Sequence, residues 1–367
     1  MKEKCVGCGA IIQTEDISKK GYIDPLVYEK KKEDFYCKRC FLLRNYNSNI
    51  EYEFDSKEYL ENLESIKENN GLIVHVVDIF DLNGTLLTNI NKLFNTKNII
   101  FAFNKVDLYM NSININRINH YLRVLLKDLN IKYIDLALIS SFKANDIQNL
   151  IDLIAKYKGN KNVYFVGMTN VGKSSIINKI IKNMVNEENI ITVSNTMNTT
   201  TDNIYIPYDK KTYLVDTPGI INKKHLMYYL DKESLETITP KKFIKPKTFQ
   251  LFPKQTLFIQ GFARIDFVNG ERSSFVTNFN NDLLIHRTKL ENADDFYEKH
   301  VDDILKIPNT QERIRLGNIK VLTFNFDLED KIDLVISGLG FISIYGEGKI
   351  EIKTFKNVDI TKRKAII

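Results

Sequence analysis

The stretch GMTNVGKSS, residues 167–175, sets two glycines, a lysine and two serines in the spacing G-x4-G-K-S. Between a strand and a helix, such a loop turns backbone N–H groups onto the phosphates of a nucleotide. Gly167 and Gly172 permit the turn, and Asn170, Val171 and Ser175 complete the cradle. Lys173 is positioned for the β- and γ-phosphates and Ser174 for Mg2+. DTPG (216–219) supplies Asp216 as a second Mg2+ group, acting through water, and Gly219 as an amide that senses the γ-phosphate. In the polar stretch NTTTD (198–202), Thr200 is the expected metal-contacting hydroxyl, with Thr199 and Thr201 as close rivals.

A second constellation reads a base. FAFNKVDLYM (101–110) ends a strand with NKVD. The Asp107 carboxylate can accept two hydrogen bonds from guanine, whereas adenine has no donor there and would leave a buried charge unsatisfied at about 1–3 kcal/mol or more. Asn104 is expected to brace the loop and the Lys105 stem to lie along the base. SSFK (140–143) follows the next strand, so that Ser140, Ser141 and Phe142 can bring a backbone amide to guanine O6. Together these segments imply a domain that binds GTP. The base reader precedes the phosphate loop in the chain.

Cys5, Cys8, Cys37 and Cys40 form C-x2-C, 28 residues, C-x2-C. Two such pairs suit one tetrahedral zinc ion, and a closed four-thiolate site is structural rather than catalytic. Disulfides and a redox C-x-x-C are the competing readings, and neither explains two copies in a reducing compartment.

These groups need elements to hold them. From about residue 51 the pattern alternates helix and apolar run: YLENLESI, GLIVHVVDIF, a helical 85–94, NIIFAF, a helix with Ile115, Ile118, Leu122, Leu125 and Leu129 on one face, YIDLALI, a helix from near Asn145, NVYFVG, the helix SSIINKIIKNM, NIYIPY and TYLVDT. Such alternation predicts a doubly wound, mostly parallel α/β sheet. His75, inside one strand, reads as a core or strand-end residue. Beyond 223, TLFIQGFARIDFV, SSFVTNF, DLLIHRT, DLVISGLGFISIYG and KIEIKTF read as strands, DDFYEKHVDDILKI (294–307) as a helix, PKKFIKPK (240–247) as a basic linker and TKRK (361–364) as a basic tail.

At 367 residues the chain is long for one core, and 43% hydrophobic residues suffice for packed domains. No run approaches the roughly twenty apolar residues of a membrane helix. MKEKCVGCGA resembles no secretory or organellar leader, so a cytoplasmic protein is expected. Lys plus Arg outnumber Asp plus Glu by 10 to 7 in residues 1–50 and by 24 to 20 in 223–367, against 18 to 19 between them. Basic ends suit a polyanion such as RNA, although a solvated lysine surface accounts for most of the excess.

CVGCGAIIQTE, CKRCFLLRNYN, VVDIFDLNGT, the permuted nucleotide motifs and HRTKLENADDFYEKHV (286–301) together resemble the YqeH family of circularly permuted GTPases over nearly the full chain. The resemblance implies a zinc-finger module (1–50), a circularly permuted P-loop GTPase domain (51–222) and a β-rich C-terminal domain (223–367) that binds RNA or protein. It implies GTP hydrolysis in assembly of the small ribosomal subunit, with contacts to rRNA or ribosomal protein; separately, no membrane partner and a monomeric state are expected. It assigns the nucleotide to Asn104, Lys105, Asp107, Lys173, Ser174, Thr200 and Asp216, and zinc to the four cysteines. Ile220 stands where many GTPases carry a water-positioning glutamine, so unaided turnover should be slow. With Asn170 in the phosphate loop, the resemblance further implies K+ stimulation. Rival readings are an RNA-binding scaffold whose nucleotide site is nearly inert, and a GTPase that regulates a non-ribosomal protein.

Overall fold

A computed structural model describes residues 71–109, 114–186, 203–220, 222–329 and 331–366, with short pieces and single residues before 71. The described residues fall into two compact units. One comprises Met1–Val77, Leu87–Asn104 and Asn130–Ile220, and the other Asp78–Leu86, Lys105–Leu129 and Ile221–Ile367.

In chain order the first part runs β1 (Leu72–Asp78), α1 (Leu82–Thr85), α2 (Ile90–Phe94), β2 (Ile99–Asn104), α3 (Ile115–Asp128), β3 (Asp135–Leu138), α4 (Ala144–Lys158), β4 (Val163–Val166), α5 (Lys173–Asn186), β5 (Ile204–Pro207) and β6 (Tyr213–Asp216). The six strands form one sheet in the order β3-β2-β1-β4-β6-β5. β1 pairs with β4, β2 with β3 and β4 with β6 in parallel, while β5 is antiparallel to β6. β1 and β2 are buried along their whole length, as strands covered on both faces must be. Each fully buried aliphatic side chain in them contributes about 1.5–3 kcal/mol. β4, fourth in the chain, is a central strand, so the phosphate loop leaves the middle of the sheet.

His75 sits in β1 as a neutral core residue. Its Nδ1 donates to the Val166 carbonyl at 3.1 Å and its Nε2 accepts the Leu87 N–H at 3.1 Å. Burial lowers its pKa to about 4. The helix expected over 85–94 is two short helices, because Leu86 is extended between them. On α3 the buried stripe is Ile118, Leu122 and Leu126; Ile115 and Leu129 are exposed.

The second unit is dominated by β structure: α6 (Lys232–Ile238), β7 (Lys247–Leu251), β8 (Gln255–Ile259), β9 (Ala263–Gly270), β10 (Ser273–Phe279), β11 (Ile285–Lys289), α7 (Ala293–His300), α8 (Thr310–Leu316), β12 (Ile319–Phe326), β13 (Ile332–Ile336), β14 (Gly340–Tyr345), β15 (Gly348–Phe355) and β16 (Ile360–Lys364). They build two five-stranded sheets, β16-β13-β14-β10-β7 and β11-β8-β9-β15-β12. Phe267, Phe275, Phe326, Ile342 and Ile352 join both sheets in one apolar core. The expected helix over 294–307 ends at His300, and Leu305 turns back so that its N–H reaches the His300 carbonyl at 2.8 Å. TKRK lies within β16, paired with β13, and is not a tail. Among the described residues no helix is long and apolar enough to cross a membrane.

Candidate nucleotide site

β4 ends at Val166 and α5 begins at Lys173, with the glycine loop between them. The loop needs its glycines. A Cβ on Gly167 would lie 2.3 Å from the Val76 carbonyl oxygen, and one on Gly172, at φ +96°, 2.4 Å from Asn104 Nδ2. Asn170 adopts the left-handed region at φ 62°, a conformation asparagine tolerates better than most residues. α5 therefore points its N-terminal N–H groups at the mouth of the loop, where a phosphate would be favoured.

Lys173 Nζ donates to the Gly167 and Met168 carbonyls at 2.9 and 3.0 Å, so its ammonium is held over the loop. Burial lowers its pKa to about 8, against the opposing pull of Asp216. Ser174 Oγ donates to Asp216 Oδ2 at 2.9 Å, which joins the end of β6 to the start of α5. A hydroxyl and a carboxylate side by side are hard oxygen donors of the kind Mg2+ takes. Beyond Asp216 the chain runs alongside the loop. The Ile220 N–H reaches the Gly167 carbonyl at 3.1 Å, and the Ile220 carbonyl accepts the Thr169 N–H at 3.0 Å. Gly219 is close to Lys173, since a Cβ there would sit 3.2 Å from Nζ. Thr217, which the sequence reading passed over, ties the same turn to β4 by donating from Oγ1 to the Phe165 carbonyl at 2.7 Å.

At the end of β2, buried Asn104 spans two loops. Its Nδ2 donates to the Val171 carbonyl at 2.9 Å and its Oδ1 accepts the Ser141 N–H at 3.1 Å. The SSFK turn is closed on itself: Ser140 Oγ accepts the Phe142 N–H at 3.2 Å, and Asp146 Oδ2 accepts the Ser140 N–H at 2.9 Å. The Ser140, Ser141 and Phe142 amides thus all have partners within the unit, and Phe142 is 80% exposed. Ser175 is half-buried in the first turn of α5.

Lys105 and Asp107 follow Asn104 in the chain and belong to the second unit. Lys105, at φ 69°, opens a short 3-10 turn over Val106–Leu108, and its ammonium pairs with Asp78. Among the described residues, buried Asp107 Oδ1 has no hydrogen-bond partner. A buried carboxylate oxygen without a donor costs free energy, and a guanine N–H would supply that donor.

Of the four cysteines expected to hold zinc, Cys5 and Cys37 are buried, and the Cys37 N–H points at Cys5 Sγ across 3.1 Å. The first cysteines of the two pairs are thus brought together, with an amide directed at sulfur as thiolate sites favour. Cys8, Cys40, Thr199, Thr200 and Thr201 lie outside the described residues.

Residues 162–244 match a family model described as 50S ribosome-binding GTPase, and residues 272–366 match one described as YqeH-like, C-terminal. The chain is 41% identical to YqeH of Bacillus subtilis, described as uncharacterized, over 100% of both chains. NO-associated protein 1, chloroplastic/mitochondrial, of Arabidopsis thaliana is 26% identical over 93% of this chain and 69% of its own. The crystal structure of YjeQ from Thermotoga maritima matches 42% of this chain and 51% of its own, at 22% identity and a TM-score of 0.26.

Proposed function

The chain belongs to the YqeH family and carries a GTPase domain, and from that premise we propose a GTP-driven switch in assembly of the small ribosomal subunit. The observation that supports it best is the joining of Lys173, Ser174 and Asp216 at the ends of two neighbouring central strands. In this reading Lys173 leaves its carbonyl partners for the β- and γ-phosphate oxygens, and the amides of 170–175 hold the phosphate chain. Ser174, Asp216 and Thr200 would hold Mg2+, which offsets charge developing on the transferred phosphoryl group. The Gly219 amide reports whether the γ-phosphate is present. Asp107 accepts from guanine, Asn104 keeps the base and phosphate loops together, Ser140, Ser141 and Phe142 border the base, and Lys105 covers its face.

Ile220 offers no polar atom on its side chain to orient water, so turnover is slow until K+, held at Asn170, or a partner assists. Residues 1–50 form a zinc-stapled module on Cys5, Cys8, Cys37 and Cys40, residues 51–222 the permuted GTPase domain, and residues 223–367 the domain that grips rRNA or ribosomal protein. The factor acts as a cytoplasmic monomer. A switch requires that partner affinity differ between the GTP and GDP states.

Co-sedimentation of the full chain with isolated small and large subunits tests this, with a GTP analogue, GDP or no nucleotide. Binding to small subunits alone, tighter with the analogue, is expected. Equal binding in all three states would favour a scaffold with an inert site. Preference for large subunits would move the target to the one named by the matching GTPase family model.

A further inference from the structure

The loop DIFDLNGT (78–85) has no part in the mechanism above, yet it holds two residues adjoining the nucleotide motifs. At its start, Asp78 is 6% exposed. Its Oδ1 accepts the Phe80 N–H at 2.9 Å and its Oδ2 pairs with the Lys105 ammonium. Three residues on, Asp81 is 3% exposed and accepts three donors: the Gly84 N–H at 3.1 Å, the Gly338 N–H at 2.8 Å and His225 Nε2 at 2.7 Å. His225 Nδ1 accepts the Met227 N–H at 3.3 Å, which leaves the ring proton on Nε2, facing Asp81.

His225 stands six residues after Gly219 in the segment that leaves DTPG. That segment is fastened to the same loop a second time, since Asn222 Nδ2 donates to the Gly84 carbonyl at 3.1 Å. The fit around the ring is tight. Gly338 has φ +84°, and a Cβ there would lie 2.6 Å from His225 Cε1. Within α1, Asn83 accepts from Arg363 of β16 at 2.6 Å.

We propose that this loop is a two-ended clip in which Asp78 positions Lys105 for the guanine and Asp81 anchors, through His225, the segment leaving the γ-phosphate motif. The inference rests on the GTPase reading. With its ammonium fixed by a buried carboxylate, the Lys105 stem has one course, which suits it to lie along a flat base. The segment that leaves DTPG is pinned at His225, six residues after Gly219 in the chain. The two ends share one short stretch of backbone, which joins base reading to γ-phosphate sensing.

A purely structural ion-pair network would lower stability and leave nucleotide kinetics alone. The test uses the full chain with Asp78→Asn, Asp81→Asn and His225→Gln, the last keeping a side-chain donor in case Asp81→Asn does not fold. Fluorescent GDP and ATP give affinities, and phosphate release gives kcat and KM for GTP. Wild-type turnover of GTP is the control, and its absence would overturn the GTPase reading instead. Asp78→Asn is expected to weaken GDP and raise KM about tenfold, with kcat held and the margin over ATP narrowed. Asp81→Asn and His225→Gln are expected to change kcat severalfold with GDP affinity held, and the double variant to be no worse than Asp81→Asn alone. Wild-type affinity, KM and kcat in all three variants, with only a lower Tm, would overturn the clip.

Discussion

Asn104 Nδ2 lies 2.9 Å from the Val171 carbonyl, although the two residues are 67 apart in the chain. With its other amide atom on the Ser141 N–H, Asn104 ties together the end of β2, the phosphate loop and the SSFK turn. Its side chain is 1% exposed, so both bonds lie where water cannot replace them. Asn104→Ala would leave a buried carbonyl and a buried N–H unpaired, at about 1–3 kcal/mol each. The expected result is a lower Tm and roughly tenfold weaker GDP and GTP binding by titration. Asn104→Asp should be worse than alanine, because it sets a negative charge against the Val171 carbonyl.

Lys173 makes nucleotide binding depend on pH. Burial lowers its pKa to about 8, and phosphate charge would raise it again. Above pH 8 the protein must take up a proton to bind GTP, and affinity should fall by at most about tenfold per pH unit. Without nucleotide the lowered pKa acts in the opposite sense, since stability then rises between about pH 8 and 10.5. Calorimetry in two buffers of different ionisation enthalpy should show proton uptake at pH 8.5 and little at pH 6.5. Zero uptake at pH 8.5 would refute this account.

His75 predicts an acid limb to stability. Its folded pKa of about 4 lies below the unfolded 6.5, so the unfolded chain binds the extra proton between those values. Stability should therefore drop as pH falls from 6.5 to 4, by about 3 kcal/mol from this group alone. Urea unfolding of the wild type and of His75→Gln would show the difference as a shallower pH slope in the variant.

Asn170 and Ile220 together predict dependence on K+. Turnover in KCl is expected to exceed that in NaCl at equal ionic strength, and Asn170→Ala is expected to remove most of the difference. Equal wild-type rates in the two salts would remove K+ from the reading.

The sheet was legible where burial on both faces makes a strand an unbroken apolar run, as in β1 and β2, and where a motif marks its carboxyl end. The charged strand β16 was not. Its Lys362, Arg363 and Lys364 resemble a solvated tail, yet Arg363 Nε reaches buried Asp333 at 3.2 Å. Strand pairing and a partner thirty residues upstream leave no local apolar period to read. Ile244 escaped notice for the same reason: a lysine-rich segment hides one buried isoleucine whose N–H reaches the Leu108 carbonyl at 2.9 Å. Asp78 and Asp81 were visible only as part of a family pattern. What each does depends on Lys105, His225 and Gly338, which no local window brings together.

The order of strands also fixes a timetable for synthesis. β3, β2 and β1 are contiguous in the sheet and all precede β4, so the half that carries NKVD and SSFK leaves the ribosome first. Leu72 must wait for Val163, its partner across the β1–β4 boundary, for roughly 5–18 s at ordinary elongation rates. Until then β1, seven residues that end up wholly buried, is an open parallel edge on a nascent chain. The strand that brings the phosphate loop is also the one that closes this edge.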